Sequence, residues 1–164
     1  MPKLTIPALP PRHKVRMQLI PETSWYFNLR KVLPKADWDK LRRQVYAYHS
    51  YQCAGCGRGN VQLHAHEVWK FHNKSKTQKL IRLVCLCELC HGVEHFGHTE
   101  MQGGRYYSRV VRHAIHTLGW SHEQLRRRRE AAFNKWRQRN AYDWKVDFGP
   151  YKNLVPKEAK HEKP

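Results

Sequence analysis

Two cysteine pairs, Cys53-Ala54-Gly55-Cys56 and Cys87-Glu88-Leu89-Cys90, flank the segment Leu63-His64-Ala65-His66-Glu67-Val68, and the second pair runs straight into His91, with His95 four residues on. Two Cys-x-x-Cys pairs suit a closed tetrahedral zinc. Each pair grips the ion from one turn, and Zn–S bonds of roughly 2.3 Å draw the two turns together. Cys53, Cys56, Cys87 and Cys90 are therefore expected to hold a structural Zn2+. Cys85 is left over; it shares a strand face with Cys87 and could compete as a ligand, but it reads better as a core thiol. His66, His91 and His95 offer a second, open set of ligands. Three imidazoles leave positions for water and a phosphate oxygen, which is what a hydrolytic divalent ion such as Mg2+, Mn2+, Ni2+ or Zn2+ requires.

The elements that must position these groups can be read from periodicity. Val61 to Val68 and Leu80 to Leu86 alternate as strands, with Leu80, Arg82, Val84 and Leu86 on one face and Ile81, Leu83 and Cys85 on the other. The polar loop Asn73-Lys74-Ser75-Lys76-Thr77 lies between them. A short helix from Cys90 to Phe96, ended by Gly97, puts His91 and His95 at i and i+4 on one face. Upstream, Trp38, Leu41, Val45 and Tyr48 predict a helix over 37–49, with Asp37 near its start. Downstream, Tyr106 to Leu118 reads as a helix stopped at Gly119. A further helix to about Arg139 opens with Ser121 as N-cap and Gln124 at the capping-box position. The expected class is α+β. A basic, proline-rich arm (1–35), in which Trp25, Tyr26 and Phe27 dock on the body, precedes a zinc-stapled core (36–100). A basic helical extension (101–149) and a disordered tail (150–164) follow.

Charge narrows the partners. The chain of 164 residues carries 31 Lys and Arg against 13 Asp and Glu, a formal +18. Such self-repulsion calls for an anion, and nucleic acid fits best, through salt-sensitive phosphate contacts. Arg126, Arg127, Arg128, Arg129, Lys135 and Arg137 form the densest patch; not all four consecutive arginines can share one helix face. An anionic membrane is the rival partner and is disfavoured: no stretch approaches the roughly 20 apolar residues of a span, and no segment has an interfacial apolar face. The N-terminus lacks the apolar core of a signal peptide, so an intracellular setting (cytoplasmic, nucleoid-associated or phage-encoded) is expected, where paired thiols favour metal over disulfides.

The segment from Cys53 to His95 resembles the HNH endonucleases, whose shared core is a ββα-metal finger. Zinc-knuckle members show a Cys pair, a strand ending in Asp-His or His-His, an Asn-Leu region, then Leu-Cys-x-x-Cys-(Asn/His)-x-x-x-His. The corresponding residues here are Cys53 and Cys56, His66-Glu67, Arg82-Leu83, and Leu86-Cys87-x-x-Cys90-His91-x-x-x-His95. The flanks Ile20-Pro21-Glu22, Trp25, His66-Glu67-Val68-Trp69 and Gly119-Trp120-Ser121 resemble a subgroup of the same family. The resemblance implies a small HNH finger stapled by zinc, with helical additions on both sides, and His66, His91 and His95 as ligands of the catalytic metal. Two positions depart from the pattern. Glu67 stands where the general base is usually a His, and Arg82 stands where an Asn usually orients that base.

The expected activity is metal-dependent hydrolysis of phosphodiester bonds, with double-stranded DNA the favoured nucleic acid and low intrinsic sequence specificity or nicking. Glu67 or His64 would act on the attacking water, and Arg82 or Arg58 would add positive charge at the phosphate. Glu67 can equally serve as an anchor for a neighbouring His or Arg, and His64 as a phosphate contact. The alternative class is a catalytically weak or inactive nucleic-acid-binding zinc protein, a subunit with protein partners in a nucleoprotein or packaging complex.

Overall fold

The computed structural model describes residues 6–157; part of the expected tail, 158–164, and the first five residues lie outside the described residues. An antiparallel hairpin of β1 (Leu63–His72) and β2 (Thr77–Cys87) is extended by β3 (Lys145–Asp147), which runs parallel to β2, in the order β1-β2-β3. Helices α1 (Leu29–Val32) and α2 (Lys35–Tyr48) cover one face of the sheet. On the other lie α3 (Glu88–Glu94), α4 (Phe96–Gln102) and α5 (Gly104–His116), with α6 (His122–Asn140) laid against them. The fold is α+β, as expected. None of the described helices is long and apolar enough to cross a membrane.

Alternation along the strands divides the interior into two cores. Trp69, Leu80, Leu83 and Cys85 meet Leu29, Leu33, Leu41 and Val45 on the α1–α2 side. Val68, Val84 and Leu86 meet Val93, Phe96, Val110 and Ala114 on the other. Leu80 corrects the strand reading. Val68 pairs with Arg82 but Trp69 pairs with Leu80, so Ile81 is an extra residue on β2. A bulge of this kind shifts everything beyond it by one pleat, which turns Leu80 away from the face of Arg82, Val84 and Leu86.

Helix ends follow local chemistry. α2 starts two residues ahead of the predicted helix, directly after Pro34, with Asp37 in its first turn where the helix dipole favours a negative charge. Both hydrogen bonds of the Ser121–Gln124 capping box are present at the start of α6. The helix expected to end at Gly97 breaks earlier, at His95 (φ −95°, ψ 48°), and Gly97 lies inside the next one. There its missing Cβ makes room for Leu19, whose nearest carbon would be 3.2 Å away.

The segments expected to lie apart are built in. Leu9, Val15, Leu29 and Leu33 are buried, so the described part of the arm is a strap across both cores. Within it Phe27 packs partly against the α1–α2 core, while Trp25 and Tyr26 stay half exposed. At the other end, Tyr151 and Val155 are buried, and the Tyr151 hydroxyl accepts a hydrogen bond from Leu83 N at 3.1 Å. Burying side chains of that size is worth roughly 1.5–3 kcal/mol each. That gain orders residues 145–155, contrary to the expected disorder from residue 150. Sequence alone gave no warning, because β3 is three residues long and borrows its apolar partners from β2.

Candidate metal centres and the cleft beside them

Four cysteines come together at the junction of the hairpin with α3. Their sulfur atoms all lie within 4.8 Å of one another. Cys56 Sγ and Cys87 Sγ are 3.7 Å apart, which matches the roughly 3.8 Å edge of a tetrahedron with Zn–S bonds of about 2.3 Å. The first sulfur of each pair accepts a backbone N–H from the second residue: Cys56 N to Cys53 Sγ at 3.5 Å, and Cys90 N to Cys87 Sγ at 3.4 Å. The second of these bonds is also the N-cap of α3, so the ligand turn and the helix start are one structure. Gly57 (φ +80°) closes the first turn, where an L side chain would be strained. Gly55 has no room for a side chain: a Cβ would sit 2.7 Å from Val15 and 3.0 Å from Cys90 Sγ. Hydrogen bonds from Cys87 and Cys90 pull the Cys53 thiol far down, while Cys87 is pushed up to about 11. The four cysteines can hold a structural metal such as zinc. Cys85 stays out of the cluster; burial in the α1–α2 core pushes its thiol up to about 12.

His66, His91 and His95 form the second cluster, with ligand atoms also within 4.8 Å of one another. His66 comes from β1 and faces the α3 side; His91 lies on α3 and His95 at its end. The ring centroids of His66 and His95 are 4.9 Å apart, and those of His91 and His95 are 4.5 Å apart. Burial, reinforced by the neighbouring rings, lowers all three imidazoles: His66 well below its ordinary value, His91 to about 2 and His95 to about 4. They are therefore neutral at pH 7, and His66 Nδ1 is buried with no hydrogen-bond partner. Neutral rings with free lone pairs are the form a cation binds. A divalent ion fits this donor set.

Behind His66 stands a residue the sequence reading missed. Glu94, 1% exposed, accepts from His13 Nε2 at 2.7 Å and from Arg16 N at 2.9 Å, and its other oxygen is 3.8 Å from His66 Nε2. Glu94 is one residue from His95 in sequence, but His13 is eighty-one residues away from Glu94. No spacing rule links them.

A cleft of about 830 Å3 opens along β1, lined by His64, His66, Glu67, His91 and His95 on one side and by residues 25–42 on the other. Glu67 and His66 are adjacent on the strand and so reach the cleft from opposite faces of it. Glu67 Oε1 accepts from Leu29 N at 2.6 Å, which satisfies a free N–H at the start of α1. Burial pushes the Glu67 carboxyl up to about 7, overcoming that hydrogen bond. His64 is stacked flat on His91, with centroids 4.7 Å apart and planes within 4°. Burial lowers its imidazole, and its Nε2 has no partner.

The expected phosphate cations are not at the cleft. Arg82 has a buried, unpartnered Nε, and burial beside Arg16 lowers its guanidinium; it is absent from the cleft lining. Arg58 is exposed on the Cys53–Cys56 turn, where its carbonyl accepts from Cys53 N. Along α6, Arg126 and Arg127 pair with Glu123, Arg126 also with Glu130, and Arg129 with Glu100. Arg128 lies over the Trp120 ring, and Arg137 donates to Asn134. Lys135 is exposed without such a partner among the described residues. The cationic groups lining the cleft include Arg30, Lys35 and Arg42 instead, none of which periodicity or motif had singled out. Comparison of the chain with protein-family models, with curated proteins and with solved structures finds no match, and the centres described above stand on their own geometry.

Proposed function

We propose that this chain is a metal-dependent endonuclease of the HNH type, hydrolysing phosphodiester bonds of DNA with low sequence specificity or by nicking. The observation that carries the reading is the convergence of His66, His91 and His95 on one cleft. They come from a β-hairpin followed by a helix, in the ββα order of the HNH finger, and four clustered cysteines tie that helix to the hairpin. His66, His91 and His95 would hold a divalent ion, which would supply Lewis-acid chemistry at the scissile phosphate.

The chain's own groups do the rest. His64, stacked on His91 and with a free Nε2, shares the face of the three ligands and accepts a proton from the attacking water; Glu67, expected as the base, points to the opposite face of β1 and anchors Leu29 N–H. Glu94 sets a carboxylate oxygen 3.8 Å behind His66 Nε2, a charge on the side where ligating histidines commonly have a carboxylate partner. Exposed cations such as Arg58, Lys135 and Arg137 contact the phosphate backbone on either side, which locates DNA without reading its sequence. One observation favours a second reading, a nucleic-acid-binding zinc protein without turnover: Arg82 is half-buried with its Nε enclosed and does not line the cleft, so it does not take over the orienting task of the usual Asn.

Supercoiled plasmid incubated with Mg2+, Mn2+ or Ni2+ separates the two. Cutting by the wild type that is lost in His91→Ala supports the endonuclease. Retained DNA binding with no cutting under any of the metals supports the second reading. Full rate in His64→Ala removes His64 as the base, and a lost rate in Glu67→Gln with the fold intact would return that role to Glu67.

A further inference from the structure

The wall of the cleft contributed by the N-terminal segment carries two groups that the structure leaves uncommitted. Arg30 is exposed on α1 and has no hydrogen bond or ion pair among the described residues. Its basic neighbours are engaged: Lys31 lies 4.9 Å over the Tyr26 ring, while Lys35 and Arg42 share Asp39 at 2.9 and 2.8 Å. Trp25 lines the same cleft and is 46% exposed. A Trp left that open on a loose loop would mean little, but this turn is fastened at three points. Glu22 N donates to Asn140 Oδ1 at 3.0 Å, Thr23 Oγ1 donates to the Tyr142 carbonyl at 2.9 Å, and buried Ser24 Oγ donates to Gln78 Oε1 at 2.6 Å. Arg30 is held in turn, because the next residue back, Leu29, is bonded to Glu67.

We propose that Trp25 and Arg30 form a nucleotide subsite in which Arg30 binds a phosphate and the Trp25 ring stacks on an unpaired base. The proposal rests on reading the cleft as a phosphodiester-cleaving site, and it names the substrate within that class: a strand with an unpaired nucleotide beside the scissile bond. An exposed indole on a fastened turn can stack any base regardless of sequence, and a base inside a duplex has no free face to give it. Both groups line one cleft, so a single strand running through it can meet the guanidinium with a phosphate and the ring with a base.

The test uses the full-length, zinc-replete chain without added catalytic metal. Fluorescence anisotropy compares a labelled twelve-nucleotide oligothymidylate with a blunt duplex of the same length. Trp25→Ala and Arg30→Ala are each expected to weaken oligothymidylate binding by roughly five-fold or more. Trp25→Phe, which keeps a stacking ring, is expected to restore most of it, and duplex binding is expected to change less than two-fold. Unchanged oligothymidylate binding in both alanine variants overturns the subsite, as does an equal loss on both probes, which a diffuse basic surface would give. Cleavage with Mn2+, run in parallel, separates the two failures. Selective binding without cutting keeps the subsite and removes the nuclease, whereas cutting that depends on His91 but not on Trp25 or Arg30 does the reverse.

Discussion

Glu94 joins the N-terminal strap to the histidine cluster: one of its oxygens is 2.7 Å from His13 Nε2, and the other is 3.8 Å from His66 Nε2. The carboxylate is buried, and its neutral isostere keeps the shape while losing the charge. Glu94→Gln is expected to weaken divalent binding at the three histidines by roughly 10- to 100-fold, the usual effect of altering a ligand's supporting partner. His13→Ala is expected to do less. Calorimetric titration of Co2+ or Mn2+ into zinc-loaded protein measures both; affinities within two-fold of wild type would show that Glu94 serves the strap alone.

The cysteine cluster is expected to decide whether the chain folds. Structural zinc sites supply on the order of 10 kcal/mol or more, comparable to the whole stability of a domain this size. Cys90→Ser, or prolonged treatment with a strong chelator, should therefore unfold the core, seen as loss of near-ultraviolet dichroism. His91→Ala should keep both the fold and one zinc per chain by elemental analysis. Loss of zinc from His91→Ala would mean that the two centres are not independent.

Alkaline instability follows from Tyr151. Burial raises its phenol from 10.0 to about 12. Between those values the unfolded chain releases a proton that the folded chain retains, so stability is complete below about pH 10 and falls as pH rises toward 12. The contribution is on the order of 2 kcal/mol. Urea denaturation at pH 8 and at pH 10.5 should show a smaller pH-dependent loss in Tyr151→Phe than in wild type. Equal slopes in the two proteins would contradict the assignment.

Gly149 tests the corrected C-terminal segment. It adopts φ +52°, and a Cβ there would lie 2.1 Å from the Leu80 carbonyl oxygen, a backbone atom that cannot swing aside. Gly149→Ala is expected to cost about 2–4 kcal/mol. A melting temperature within 2 °C of wild type would mean that residues 145–155 are not docked in solution.

The chemistry-bearing part of the fold was legible because metal ligation imposes spacing. Cys-x-x-Cys and His-x-x-x-His can be read without knowing what lies between them, and both sets converge as their patterns suggested. Whatever depended on long-range packing was not legible. Glu94 and His13 meet across the chain, Arg30 lines the cleft next to a residue bonded to Glu67, and Tyr151 is ordered by a strand it does not belong to. Arg82 shows the opposite error, in which a motif position was filled by a residue whose side chain burial turned aside. The helix predicted to stop at Gly97 failed for a local reason: glycine there answered to Leu19 and not to a cap.

The extra residue at Ile81 splices two pleats out of phase within a single hairpin. Downstream of the splice, toward the hairpin tip, the strands are indexed to Trp69, Leu80 and the chain's end; upstream they are indexed to the imidazoles and sulfurs. A length change in the tip half therefore resets only that half's inward and outward sequence, and the ligands keep their orientation. The end that carries the histidines and cysteines is insulated from insertions that the tip can accommodate.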